Sequence, residues 1–148
     1  MLFTKRFELE DEAEAQQWIT DNDIMFSLAF GPALVENGEM VYTYDYPVGE
    51  IYEEYARAAM GQLDQLHYLM VDISLDDKLG LERNPRLEEI RDLMYSRGCQ
   101  QAYALDGGQT AAIIINNEMI TRPTYGWERL YSDILYFATA IPEEDRLG

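Results

Sequence analysis

Asn37-Gly38 separates an apolar run ending at Val35 from a second stretch that extends through Tyr44. An Asn-Gly pair tolerates the positive φ values that a two-residue hairpin turn demands and that most residues resist. The reading is therefore a strand over Met25–Val35, a turn through Glu36-Asn37-Gly38-Glu39, and a returning strand. The same punctuation recurs downstream. Gly107-Gly108 falls in a polar loop between Gln101–Leu105 and Ala111–Ile115, and Asn116-Asn117 reverses the chain into Glu118–Thr121. Ile51–Met60 is ambiguous, because its Ala and Glu content favours helix. The facing of Ala56–Gln62 and His67–Ile73 across a short polar connector predicts a hairpin instead. A last strand is predicted over Asp133–Ala140, stopping before Pro142. Reversals this frequent leave little room for parallel crossovers, so the expected sheet is mainly antiparallel.

Two segments carry helical patterns. Leu9–Ile19 is acidic, with Ala13, Gln17 and Trp18 at helical offsets, and reads as a short surface helix. Asn84–Arg97 is the clearer one: Asn84 is suited to cap the first turn, Pro85 to open it, and Glu88 and Glu89 to face the positive dipole end. Leu87, Ile90 and Met94 share one face, and Gly98 supplies a left-handed stop. The expected fold is α+β, a mainly antiparallel sheet with a few helices packed on it, as one domain over residues 1–148.

Of the 148 residues, 47% are hydrophobic, so a core can form. The formal net charge is −17, which opposes nucleic acid as a general partner and disfavours anionic membrane surfaces. The first 54 residues hold 13 acidic and only 2 basic side chains, so any anion-binding group belongs to the later stretch. No apolar run reaches the roughly 20 residues of a membrane span, and no signal peptide is visible. Cys99 is the sole cysteine, which excludes an internal disulfide and suits a small core residue. His67 is the sole histidine, so no multi-histidine metal centre is expected. Asp72-Ser74-Asp76 alternates like a calcium loop, but Asp77 stands where such a loop needs Gly and Arg83 where it needs Glu. No metal or cofactor is assigned. Nucleophile-elbow and phosphate-loop motifs are absent. Tyr42, Tyr44 and Tyr46 describe one face of a strand; with Tyr52 and Tyr55 they also suit a sugar-stacking surface, the less favoured reading.

The sharpest local signal is Leu105-Asp106-Gly107-Gly108-Gln109-Thr110. Paired glycines allow close backbone approach and can turn successive N–H groups toward an anion, with an aspartate at the mouth. An Asp-Gly hairpin turn without chemistry fits the spacing equally, and on spacing alone it is preferred.

A longer pattern surrounds this loop. Phe30-Gly31-Pro32-Ala33-Leu34-Val35 followed by Asn37-Gly38-Glu39, then Ala56-Arg57-Ala58-Ala59-Met60-Gly61, then a strand ending at Asp72, then Ala104–Thr110, and finally Glu128-Arg129 and Ser132-Asp133-Ile134-Leu135 occur in order. Over roughly residues 25–140 this resembles the phosphodiester glycosidase family. Departures from the family pattern are the missing Gly-Arg after Asp72, Ala104 in place of Asn, Leu130 in place of Pro, and no upstream Asn-Gly-Gly-Tyr-Phe segment. The resemblance implies the C-terminal portion of the family domain, a shortened relative, or a form completed by another chain, either the N-terminal half or a second copy.

The resemblance further implies hydrolysis of the glycosidic bond of a sugar-1-phosphodiester in a sugar-phosphate polymer or exopolysaccharide. The setting it implies is extracytoplasmic or secreted. Asp106 is the first choice for the carboxylate that supports an oxocarbenium-like transition state, and Asp72 the second. Arg57 and Arg129 are the guanidinium groups suited to the phosphate, with Gly107, Gly108, Gln109, Thr110, Glu128 and Ser132 around them. Read without the resemblance, both arginines are ordinary surface ion-pair residues. The alternative function is a non-catalytic glycan-binding or interaction module of the same descent.

Overall fold

Residues 11–28, 30–43, 53–75, 83–131 and 133–138 are described in a computed structural model. In chain order they form α1 (Glu12–Asp21), β1 (Ala33–Glu36), β2 (Glu39–Met40), β3 (Arg57–Asp64), β4 (His67–Ile73), α2 (Leu87–Ser96), β5 (Gln101–Leu105), β6 (Ile114–Ile115) and β7 (Glu118–Met119). Short 3-10 turns occupy Gly108–Thr110 and Thr124–Gly126. The architecture is the expected α+β arrangement.

Five strands make one fully antiparallel sheet in the order β2-β1-β5-β3-β4, and β6 and β7 make a separate ribbon. The β1–β2 turn uses Asn37 at φ 52° and Gly38 at φ 78°, the left-handed pair that its sequence predicts. β3 and β4 form the longest hairpin, from Arg57 opposite Ile73 to Asp64 opposite His67. β5 enters between the two hairpins, pairing Ala102 with both Val35 and Gly61.

Alternation along the strands sends Ala59, Val71, Ala102 and Ala104 to one face, where Leu87, Ile90 and Met94 of α2 pack on them. Small residues on the sheet let the helix settle close. Gly61 is the extreme case: a Cβ there would come within 2.5 Å of the Cys99 sulfur and 2.6 Å of Met94 Cε. The helix stops as predicted, with Gly98 at φ 82°. The Gly98 N–H donates to the Tyr95 carbonyl and the Cys99 N–H to the Met94 carbonyl, which satisfies two of the last turn's acceptors and buries Cys99.

The start of α2 differs from expectation. Its cap is Arg86, whose N–H donates to the Glu89 carboxylate at 2.9 Å. Asn84 instead turns its side-chain oxygen to the Leu75 N–H at 2.8 Å, tying the end of β4 to the helix. Glu89 also accepts both arms of Arg83, each at 2.7 Å, and these bonds draw its pKa down to about 2.

Other boundaries shift. The first helix starts after Asp11, whose carboxylate caps Glu14; Leu9 and Glu10 lie outside the described residues. Among the described residues of the expected Met25–Val35 strand only Ala33, Leu34 and Val35 are sheet, within β1, and Met25 and Phe26 stand exposed; Ala29 lies outside the described residues. Residues 133–138 are irregular rather than a strand, while 139–140 lie outside the described residues. Tyr42 lies beyond β2 and is exposed; Tyr44, Tyr46, Tyr52, Asp76 and Asp77 lie outside the described residues. Among the described residues no helix is long and apolar enough to cross a membrane.

Candidate active site

The candidate site lies at the sheet end marked by Arg57, Ile73 and Leu105. β5 stops at Leu105, opposite Ala58, and Asp106 follows at once. The chain then folds over the start of β3. Gly107 sits so close to Ala56 that any Cβ would strike the Ala56 carbonyl oxygen, and the Gly108 N–H donates to that same oxygen at 2.9 Å. Gly108 adopts φ 63° with open space where a Cβ would stand. The two glycines therefore serve different needs, one steric and one conformational. Thr110 closes the loop, its hydroxyl donating to the Gly107 carbonyl at 2.6 Å. Gln109 lies half-buried in the same 3-10 turn.

This geometry alters the role expected of the glycine amides. The Gly107 N–H donates to Asp106 Oδ1 at 2.9 Å, and the Gly108 N–H to Ala56. Both amides are used within the chain, fixing the loop and the carboxylate. The second Asp106 oxygen, Oδ2, accepts from Arg129 Nη2 at 2.6 Å. Arg129 arrives from the segment after the Thr124–Gly126 turn, which packs against the Gly108–Thr110 turn.

Arg57 begins β3 beside this loop. Its Nη2 donates to the Glu53 carbonyl at 2.6 Å, and its guanidinium lies 5.8 Å from the centre of the Tyr55 ring. Glu128 accepts from the Tyr131 hydroxyl at 2.8 Å and thereby raises the Tyr131 pKa. Ser132 lies outside the described residues.

Asp72 is placed differently. In the strand register it shares a row with Ala58 and Leu105, on the face opposite Ala59, Val71 and Ala104. Burial pushes its carboxyl pKa up, and the nearby Thr121 hydroxyl opposes that shift. Neither carboxylate oxygen completes a hydrogen bond in this geometry. Arg57 follows the parity of Ala59, so alternation directs it to the other face from Asp72. The two carboxylates singled out in the sequence thus occupy different environments, Asp106 doubly bonded and part-exposed, Asp72 enclosed.

Sequence reasoning missed the Ala56 carbonyl as the anchor of the loop, since a backbone acceptor leaves no mark in residue types. It also missed Thr121 beside Asp72, which depends on where the β6–β7 ribbon returns. Among the described residues no three His, Cys, Asp or Glu side chains gather as a metal site.

A family model described as phosphodiester glycosidase matches residues 3–138. Among solved structures, a hypothetical protein from Synechocystis aligns with a TM-score of 0.57 at 18% identity, covering 70% of this chain and 19% of that one. The zebrafish N-acetylglucosamine-1-phosphodiester alpha-N-acetylglucosaminidase catalytic domain, auto-inhibited by its pro-peptide, aligns with a TM-score of 0.49 at 19% identity, covering 62% and 33% respectively. The chain thus spans about a fifth and a third of the length of these two. No curated protein sequence matches it.

Proposed function

The chain belongs to the phosphodiester glycosidase family, and on that premise we propose that it forms part of a hydrolase that cleaves the glycosidic bond of a sugar-1-phosphodiester. The observation that carries this reading is the Asp106 carboxylate, held by Gly107 at the mouth of a glycine loop with the Arg129 guanidinium against it. Breaking the anomeric C–O bond builds positive charge on the sugar, which a fixed carboxylate stabilises. The leaving group is a phosphate monoester whose second pKa is about 6, so it departs with little help from a general acid. It does need its charge met, and Arg57 and Arg129 both lie beside the loop.

Each remaining residue has a defined task in this scheme. Gly107 and Thr110 fix the carboxylate's position. Arg57, steadied by the Glu53 carbonyl and the Tyr55 ring, presents a guanidinium toward the phosphate. Gln109 and Glu128 contribute to the substrate surface, a part that the family resemblance also gives to Ser132. Asp72 is the second acidic group; burial disfavours its charged form, which makes it a weaker charged stabiliser than Asp106. The family resemblance points to sugar-phosphate polymers or exopolysaccharides outside the cytoplasm as substrates. The outer edge of β4, with Tyr68 and Phe137 6.0 Å apart beside it, supports a second chain or a further part of the family domain packing there.

The test is release of reducing sugar from a sugar-1-phosphate diester. Asp106→Asn retains the shape and removes the charge, so kcat should fall by about 100-fold or more while folding is kept. Arg57→Lys keeps the charge but loses the fork, so it should impair diester substrates more than simple glycosides. Equal rates for wild type and Asp106→Asn would remove Asp106 from the mechanism. Glycan binding without any release, even when the chain is joined to the rest of the family domain, would favour the non-catalytic module.

A further inference from the structure

We propose that Asp106 and the substrate's phosphodiester compete for Arg129, so that arrival of the phosphodiester is what uncovers the carboxylate. This rests on the hydrolase reading above and adds to it an order of events and a basis for selectivity.

Four features of the site support the exchange. First, both oxygens of Asp106 are engaged, Oδ1 by the Gly107 N–H and Oδ2 by Arg129 Nη2 at 2.6 Å. A carboxylate covered by a guanidinium has much of its charge cancelled, and it is that charge which an oxocarbenium-like transition state needs. Second, the two partners are held very differently. Asp106 sits on a loop fixed by the Ala56 and Gly107 carbonyls, whereas Arg129 comes from a segment outside any strand, 23 residues further along. Arg129 is the member not anchored to the sheet.

Third, the pair is accessible: the Arg129 side chain is 57% exposed and that of Asp106 43%. Solvent-screened pairs of this kind shift an equilibrium by only about fivefold or less, so a second anion can displace the carboxylate. Fourth, the contact joins one nitrogen to one oxygen. A phosphodiester offers two oxygens to the same planar fork, a geometry that favours the exchange. A glycoside without phosphate has nothing with which to draw Arg129 away, so the site distinguishes the two classes before any bond is broken.

The experiment titrates inorganic phosphate and dimethyl phosphate, a diester monoanion, into wild type, Asp106→Asn, Asp106→Ser and Arg129→Ala at low ionic strength. Binding is followed by calorimetry and by the Gly107 amide resonance. Removing the internal competitor should tighten binding of both anions roughly two- to fivefold in each Asp106 variant. Arg129→Ala should lose binding. Affinities in the Asp106 variants that equal or fall below wild type would overturn the proposal, as would absence of binding in every protein. Tightened binding without sugar release from any diester, even when the chain is joined to the rest of the family domain, would leave the competition standing and remove the hydrolase reading. Sugar release with unchanged anion affinity would do the reverse.

Discussion

Gly107 and the Ala56 carbonyl are in such close contact that a single added methyl group cannot fit between them. Gly107→Ala should therefore push the loop off the sheet end, break the Gly108–Ala56 hydrogen bond and move Asp106. A loss of about 1–3 kcal/mol is expected in denaturant unfolding. Gly108→Ala meets open space and suffers only the left-handed φ, so its loss should stay near about 1 kcal/mol. A larger loss at Gly108 than at Gly107 would contradict this division of roles.

Gly61 is the corresponding close approach inside the core. Gly61→Ala drives a methyl group at the Cys99 sulfur and Met94 Cε, and overpacking of this kind costs about 1–3 kcal/mol. Cys99→Ala removes the sulfur that the new methyl strikes. The double variant should recover at least half of the loss, measured as a positive coupling in a double-mutant cycle. Strict additivity would show that the helix, not the sulfur, limits the space.

Glu89 and Asp72 should respond to acid in opposite senses. The folded pKa of Glu89 is lowered from 4.5 to about 2, chiefly by its hydrogen bond to Arg83. Its contribution is therefore complete above 4.5 and is lost as pH falls toward 2. Both side chains are about half exposed, so the effect is modest: Glu89→Gln should lower Tm by about 1–3 °C at neutral pH and flatten the acid limb of the stability curve. A carboxyl resonance for Glu89 that titrates near 4.5 would contradict the pairing.

For Asp72 burial raises the folded pKa above the 3.8 of the free carboxyl. The charged form then opposes folding at neutral pH, and that penalty fades as pH falls through the folded value toward 3.8. Asp72→Asn should stabilise the fold by about 1 kcal/mol at pH 7 and make little difference at pH 3. Thr121→Val removes the hydroxyl that favours the charged form, so it should raise the Asp72 pKa further in an NMR titration.

The parts legible in the sequence are those set by neighbours in the chain. The Asn37-Gly38 reversal, the β3–β4 hairpin and the Gly98 stop each depend on a local φ preference or a local alternation. The Asn84 cap was misplaced because its side chain meets Leu75, a partner outside the helix. The strand expected over Asp133–Ala140 had β-forming residues but, among the described residues, no ladder beside it, and residues 133–138 are irregular. At the candidate site the aspartate and glycines stood out as a motif. The ion pair to Arg129 follows only from the tertiary fold, as does the separation of Asp72 onto another face.

The strand order carries a consequence for synthesis. The β1–β2 and β3–β4 hairpins leave the ribosome before β5, yet neither pairs with the other; both pair with β5. Until Gln101–Leu105 emerges, two hairpins each expose an inner edge meant for the same absent strand. The nascent chain is therefore most vulnerable to association with its neighbours just before its middle strand arrives. A truncated chain ending ahead of residue 101 should be far less soluble than one that includes it.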